Sequence, residues 1–301
     1  MSKKLVLSKG IRHLTWREIG VLIKDTFIEF FKENSFFHGA ALSYYAIFAL
    51  VPMLYLSFAS FGQIVGQKTM IDIVGKMLRE QVGIKDVDGI LSFLSEVNIT
   101  KGSFVLNAVG IIALMLSSSA LLISLRGSLN DFFDIKKVHA TNKKMIISNI
   151  TFRLLSVTML TVFAMVIIVF YFAQTILISF GNDLFKDLQA INWIVVEFAQ
   201  HGLSLFSNFI IFTLIFRYLH DGVVEWKLAM AGSLVTSFLL YFGQLLIKYY
   251  LAHYFFAKDG GIAGTLMVIL VWTYYSSQII FFGAKFTAIY GRMVGKAIVV
   301  K

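Results

Sequence analysis

The sequence predicts an all-α polytopic membrane protein, with six transmembrane helices, amphipathic interfacial helices beside them, and both termini cytoplasmic. Three observations carry that reading. Of the 301 residues, 58% are hydrophobic and only 15% charged, where an ordinary soluble domain carries about 25% charged residues. The apolar residues are gathered into six blocks, each long enough to cross a hydrocarbon core, which takes about 20 helical residues. Lysine and arginine are dense in every second connection, as the positive-inside rule requires.

The blocks run over 36–63, 103–125, 151–180, 191–218, 228–256 and 261–290. They bound a transmembrane domain at 36–290, with a cytoplasmic segment at 1–35 before it and a cytoplasmic tail at 291–301 after it. Only one proline, Pro52, is present, so long helices form easily. Pro52 falls inside the first block, where its missing N–H frees a backbone carbonyl and is expected to kink the helix. Short links join the last four blocks, which makes consecutive helices antiparallel neighbours. Gly39, Ala40 and Ala41 in the first block and Gly260 and Gly264 around the start of the last mark places where another helix can approach closely.

The first 35 residues read as a mixed-charge cytoplasmic segment and not as a secretory leader, because no short apolar run is followed by a small-residue cleavage site. Thr15 to Glu18 has the form of a capping box. Beyond it, Trp16, Ile19, Ile23, Phe27 and Phe30 recur at helical spacing against Arg17, Lys24, Asp25 and Lys32, which predicts an amphipathic helix in the membrane plane. The long connection at 64–102 carries Ile71, Val74, Leu78 and Val82, then Ile90, Leu91, Leu94 and Val97. Two short amphipathic helices on the outer surface follow from that pattern.

A net charge of +10 invites a nucleic-acid reading, and the distribution removes the need for it. The N-terminal segment, 126–153, 217–227 and the tail hold eighteen lysines and arginines, whereas the opposite connections hold seven. Five of those seven lie in 64–102 beside five acids. The excess cation therefore sets topology, and the expected partners are membrane lipids with a lipid or anionic substrate, not nucleic acid. Oligomeric state is left open. Cysteine is absent, which excludes disulfides, thiolate metal sites and cysteine nucleophiles.

Polar groups inside a span are the default functional candidates, because lipid makes them costly. His201, Asn208, Gln244 and Gln278 lie near the midplane of their blocks. They read either as a polar substrate path or as hydrogen-bonding glue between helices, and Ser117, Ser118 and Ser119 add hydroxyls to the second block. Lys248 and Lys285 lie toward the ends of their blocks and are expected to snorkel to an interface. Arg153 and Arg217 sit where they can anchor a span or meet lipid phosphate, and Glu197 can pair with a lysine. The chain has no phosphate-binding lysine loop, His-Glu-x-x-His helix, EF-hand loop or nucleophile elbow. No catalytic residue, cofactor or metal site is assigned, and the chain reads as a non-enzyme. The cytoplasmic connections offer Asp131, Asp134, His139, His220, Asp221 and Glu225 without recognisable catalytic spacing.

Several segments taken together resemble one family. Phe37-His38-Gly39-Ala40-Ala41-Leu42-Ser43-Tyr44-Tyr45, running on to Pro52, is similar to the opening signature of the YihY/BrkB family, and Leu125-Arg126-Gly127-Ser128-Leu129-Asn130 to its motif after the second span. Arg217-Tyr218-Leu219, Trp226-Lys227, Ala231-Gly232, Gly261-Ile262-Ala263-Gly264, Trp272-Thr273-Tyr274-Tyr275 and Gly283-Ala284-Lys285-Phe286-Thr287 follow in family order. The resemblance implies a bacterial inner-membrane protein with six helices and cytoplasmic termini. It also implies a link to envelope integrity and serum resistance, with transport among the proposed roles; the family has carried a ribonuclease label as well. The family usually has Glu where this chain has Lys285, so no proton-relay or catalytic role passes to that position. The expected function is transport of an envelope component, a lipid or lipid-linked anion, without an ATPase of its own. The alternatives are an assembly scaffold and, more distantly, a membrane ribonuclease.

Overall fold

A computed structural model describes residues 15–77, 87–88, 91–92, 104–135, 166, 169–170, 189–254, 261–296 and 298–300. The elements in chain order are α1 (Trp16–Lys32), α2 (Ser35–Val65), α3 (Gln67–Met77), α4 (Phe104–Phe132), α5 (Gln189–Tyr218), β1 (Gly222–Val223), α6 (Trp226–Tyr254), α7 (Gly261–Met293) and β2 (Val299–Val300). Among the described residues, the departure from all-α is the β1–β2 pair, antiparallel, with Gly222 opposite Val300 and Val223 opposite Val299. Among the described residues, Ala108–Phe132, Trp226–Ile247 and Leu266–Met293 are long and apolar enough to cross a membrane, and Ser35–Leu50 is a shorter apolar helix. The predicted span at 151–180, and Arg153 with it, lies outside the described residues apart from 166, 169 and 170. α2 continues as helix on both sides of Pro52, whose side-chain surroundings lie outside the described residues.

The chain divides into two compact units. The first comprises Met1–Glu33, Leu129–Leu239 and Phe282–Lys301. Its core is aromatic and aliphatic, with Leu129, Phe132, Phe216, Leu219 and Val224 fully buried. Phe133 meets the Phe216 and His220 rings, while Phe30 of α1 meets Phe132 and Phe282. α6 and α7 pack closely here. A Cβ on Gly232 would strike the Thr287 hydroxyl, and one on Gly283 would strike that of Thr236. Each threonine hydroxyl donates to the carbonyl four residues back on its own helix, Thr236 to Gly232 and Thr287 to Gly283. The hydroxyl is thereby satisfied without water, as an apolar setting demands.

The second unit comprises Asn34–Ser128 and Leu240–Phe281. The small-residue patch of α2 is used as the sequence suggested: Gly39 lies under the Gln278 amide and the Tyr274 ring of α7. Gly243 of α6 lies similarly under Tyr275. The long connection begins with α3, which takes up Ile71 and Val74 of the first predicted amphipathic segment. Most of the second such segment is outside the described residues.

Candidate functional site

α1 starts where Thr15 caps it. The Glu18 backbone N–H donates to the Thr15 hydroxyl, and the Thr15 N–H donates to the Glu18 carboxylate at 2.7 Å, the reciprocal pair the sequence predicts. Of the apolar stripe that the sequence marks, only part is turned toward the protein. Leu22, Thr26 and Phe30 are buried, while Trp16, Ile23 and Phe27 are exposed. That orientation carries Glu29 and Glu33, one turn apart, to the side of α1 that meets Lys285 of α7.

Lys285 is the centre of the cluster. Its side chain has no exposure, and its Nζ lies 2.8 Å from Asp134 Oδ1, 3.2 Å from Glu33 Oε1 and 3.6 Å from Glu29 Oε2. The ammonium ends among acids and not in open solvent. An ammonium has three donors, and three carboxylates lie within reach, so the group needs no water. The carboxylates themselves are 32–41% exposed. Arg292, two turns further along α7, pairs with Glu29 and lies 3.7 Å from Asp134. With all five groups ionised, three negative charges face two positive ones.

Asp134 reaches this position through an unusual helix ending. Ile135 N–H donates to the Asn130 carbonyl and Asp134 N–H to that of Asp131, which is the Schellman pattern. The residue at its left-handed position is Asp134, with φ 59°. Glycine is usual there; an aspartate costs about 1 kcal/mol by sterics alone, and here its carboxylate gains Lys285. α7 ends in the same motif with glycine in that place: Lys296 N–H donates to Gly291 O, and Gly295 has φ 72°.

Several other polar groups of the first unit are also tied. Asn130 donates through Nδ2 to Asp221 at 2.6 Å and accepts from the Asp221 N–H at 2.9 Å. His220 is buried, with its Nδ1 accepting from Gly222 N–H, so its Nε2 carries the proton and donates to Phe216 O. Lys296 pairs with Glu225. Arg217 donates to the Val224 carbonyl, with its guanidinium over the Trp226 ring at 5.5 Å and the Tyr218 ring at 5.9 Å.

The midplane residues are divided between the units. His201 is exposed and Asn208 half-buried, both on α5 of the first unit; Gln244 and Gln278 are half-buried in the second. Gln278 donates to the Ser35 carbonyl at 3.1 Å, and His38 is hydrogen-bonded to the Ser128 hydroxyl at 2.9 Å. Ser117 donates to Ala113 O on its own helix. Glu197 and Lys248 lie in helices, with side chains outside the described residues. The second unit also holds a cleft of about 640 Å³ lined by Tyr44, Tyr45, Phe48, Leu116, Ser117 and Ala120, with Ile47 and Ala113. Among the described residues, no group of three His, Cys, Asp or Glu side chains is arranged to hold a metal ion.

Sequence reasoning missed Glu29, Glu33, Asn130 and Arg292. A usable signal was present for two of them: Glu29 and Glu33 share a helix face, and a lysine five residues inside the end of a span needs an acid.

The sequence matches the family model described as virulence factor BrkB over residues 26–298. A UPF0761 membrane protein of Rhodospirillum centenum is 25% identical over 273 residues, which cover 90% of this chain and 57% of the relative. A UPF0761 membrane protein of Teredinibacter turnerae is 22% identical over 270 residues, covering 89% and 60%. The chain thus spans less than two-thirds of the length of these curated relatives. No solved structure matches it.

Proposed function

We propose, from the premise that this chain belongs to the virulence factor BrkB family of membrane proteins, that it is a six-span inner-membrane protein moving a lipid or lipid-linked anion of the envelope without its own ATPase. The observation that carries this reading is the α2–α4 cleft. Its volume of about 640 Å³ falls within the roughly 300–1,000 Å³ of small-molecule sites. Its lining is aromatic and aliphatic except for the tyrosine and Ser117 hydroxyls, and Tyr44, Phe48 and Leu116 are exposed along it. An acyl chain is the ligand that such a surface favours.

Topology supports the same reading. Contacts within the first unit join residues from all four segments that the charge count assigns to the cytoplasm: Glu29 and Glu33, Asp134, Asp221 and Glu225, and Arg292 and Lys296. Same-side segments are what the six-span arrangement requires. Exposed Tyr218 and Trp226 beside Arg217 suit the aromatic belt of a membrane interface. The acids that a ribonuclease would draw on favour transport over RNA chemistry. Asp134, Asp221 and Glu225 are engaged by Lys285, Asn130 and Lys296, and both His220 nitrogens are held by backbone.

The test is flux of a fluorescent anionic phospholipid in proteoliposomes, with Ala113→Phe and Ala120→Phe filling the cleft. Wild-type flux should fall in both variants, and a fall in a His201→Ala, Gln278→Ala double variant would extend the path to those residues. Unchanged flux in folded cleft variants would refute the acyl site. No flux in wild type would turn the reading toward an assembly scaffold, for which a stoichiometric partner should copurify.

A further inference from the structure

α1 buries one face against the protein, and Phe27, at the edge of the other face and half exposed, touches the Phe282 ring. Leu22, Thr26 and Phe30 are buried, and Glu29 and Glu33 are held by Lys285, with Arg292 also on Glu29. At 3.6 residues per turn, the exposed arc then reads in order Ile23, Trp16, Phe27, Gly20, Phe31, Lys24, Arg17, Ile28, Val21. All six large apolar side chains are exposed, Trp16 to 89%, and so are Arg17 and Lys24. None of the helix's acids is on this arc. Glu29 and Glu33 face Lys285, Glu18 is folded back on Thr15, and Asp25 lies at the polar edge beside Lys32. The outward arc thus carries positive charge among its apolar groups, while Glu29 and Glu33 face the protein.

We propose that this arc docks into the headgroup layer of an anionic leaflet, with Arg17 and Lys24 reading lipid charge and Trp16, Ile23, Phe27 and Phe31 entering the boundary of the acyl chains. Two features select a bilayer as the occupant. The arc carries cations only, set between apolar groups, which is the pattern of interfacial helices that bind anionic lipid. Only Glu33 and Asn34 separate α1 from the apolar helix α2, so the chain runs from the arc directly into an apolar segment. The Lys285 cluster fixes which face of α1 is turned outward. Each basic residue near an anionic surface strengthens attraction roughly five-fold, so removing Arg17 and Lys24 removes most of the preference for charged lipid.

The chain has no cysteine, so one introduced thiol reports one position. Gly20 is suited to it, because a Cβ there meets no atom within 4 Å and the position lies in mid-arc. Full-length Gly20→Cys protein, labelled with bimane, would be placed in nanodiscs of phosphatidylcholine alone or with phosphatidylglycerol. Lys32→Cys, exposed at the polar edge, is the control. The expected result is quenching of the Gly20→Cys label by doxyl lipid and protection from aqueous iodide, with the reverse at Lys32→Cys. Phosphatidylglycerol should increase the lipid quenching at Gly20→Cys several-fold, and Arg17→Gln with Lys24→Gln should abolish that increase without lowering thermal stability in detergent. Equal iodide access at both positions would overturn the proposal. So would lipid quenching that ignores phosphatidylglycerol, or shielding of Gly20→Cys from both quenchers, which would mean that protein covers the arc.

Discussion

Lys285 in the first unit and Gln278 in the second lie two turns apart on α7, and they meet their neighbours by different means. Lys285 collects three carboxylates from α1 and the end of α4, whereas Gln278 donates one neutral hydrogen bond to the Ser35 carbonyl over a glycine that leaves room for it. The partners of Lys285 keep partial contact with water, so the charges it meets are only partly desolvated. The interhelical contact Gln278–Ser35 is neutral, His38 is hydrogen-bonded to Ser128, and the Ser43, Thr273 and Ser277 hydroxyls donate to their own helices. The difference teaches where charge is affordable: at helix ends, where carboxylates can stay hydrated, and not along the middle of an apolar helix.

The sharpest way to break that contrast is to remove each donor. Lys285→Ala leaves three carboxylates facing one another and should lower stability by about 3 kcal/mol, the lower end of the range for breaking a buried pair, because the acids are partly exposed. Gln278→Ala should cost about 1 kcal/mol. Thermal unfolding in detergent reads both, and equal losses would mean that the charge cluster holds no more than a neutral contact does. A smaller effect sharpens the packing side of the comparison. Gly232→Ala drives a methyl into the Thr287 side chain and to 3.3 Å from the Gly283 carbonyl, an overpacking worth roughly 1–3 kcal/mol. Gly39→Ala meets mainly the far end of the flexible Gln278 side chain and should cost less. Adding Thr287→Ala should recover part of the Gly232→Ala loss and none of the Gly39→Ala loss.

Composition and block length made the helices legible, and local rules gave the α1 cap and the small-residue contact at Gly39. The cluster was hidden because its members are distant in sequence: Glu29, Asp134 and Lys285 meet only after the chain has folded. The helical period revealed that α1 is amphipathic but not which stripe the protein takes. The face that the protein takes also carries Glu29 and Glu33, which pair with Lys285. Lys285 itself was read as an interfacial lysine because depth in a block cannot report an acid on another helix. The left-handed Asp134 has no local signature either, since aspartate at that place is selected by its distant cation.

The weakest links should be the exposed ones. Thr15→Ala removes a capping hydroxyl and should cost about 1 kcal/mol, seen as earlier fraying of α1. Arg292→Gln should cost about 0.5 kcal/mol or less, because Arg292 is 45% exposed and exposed pairs contribute little. The two cations on α7 then differ in their response to salt. Raising ionic strength should erase the Arg292→Gln difference, since exposed charges are screened, while the Lys285→Ala loss should persist because water and ions do not reach its Nζ. Unfolding of wild type and both variants at low and high salt measures this directly. If salt reduced the two losses in proportion, Lys285 would have to be in contact with solvent, and the contrast between a sealed cation and its hydrated acids would no longer hold.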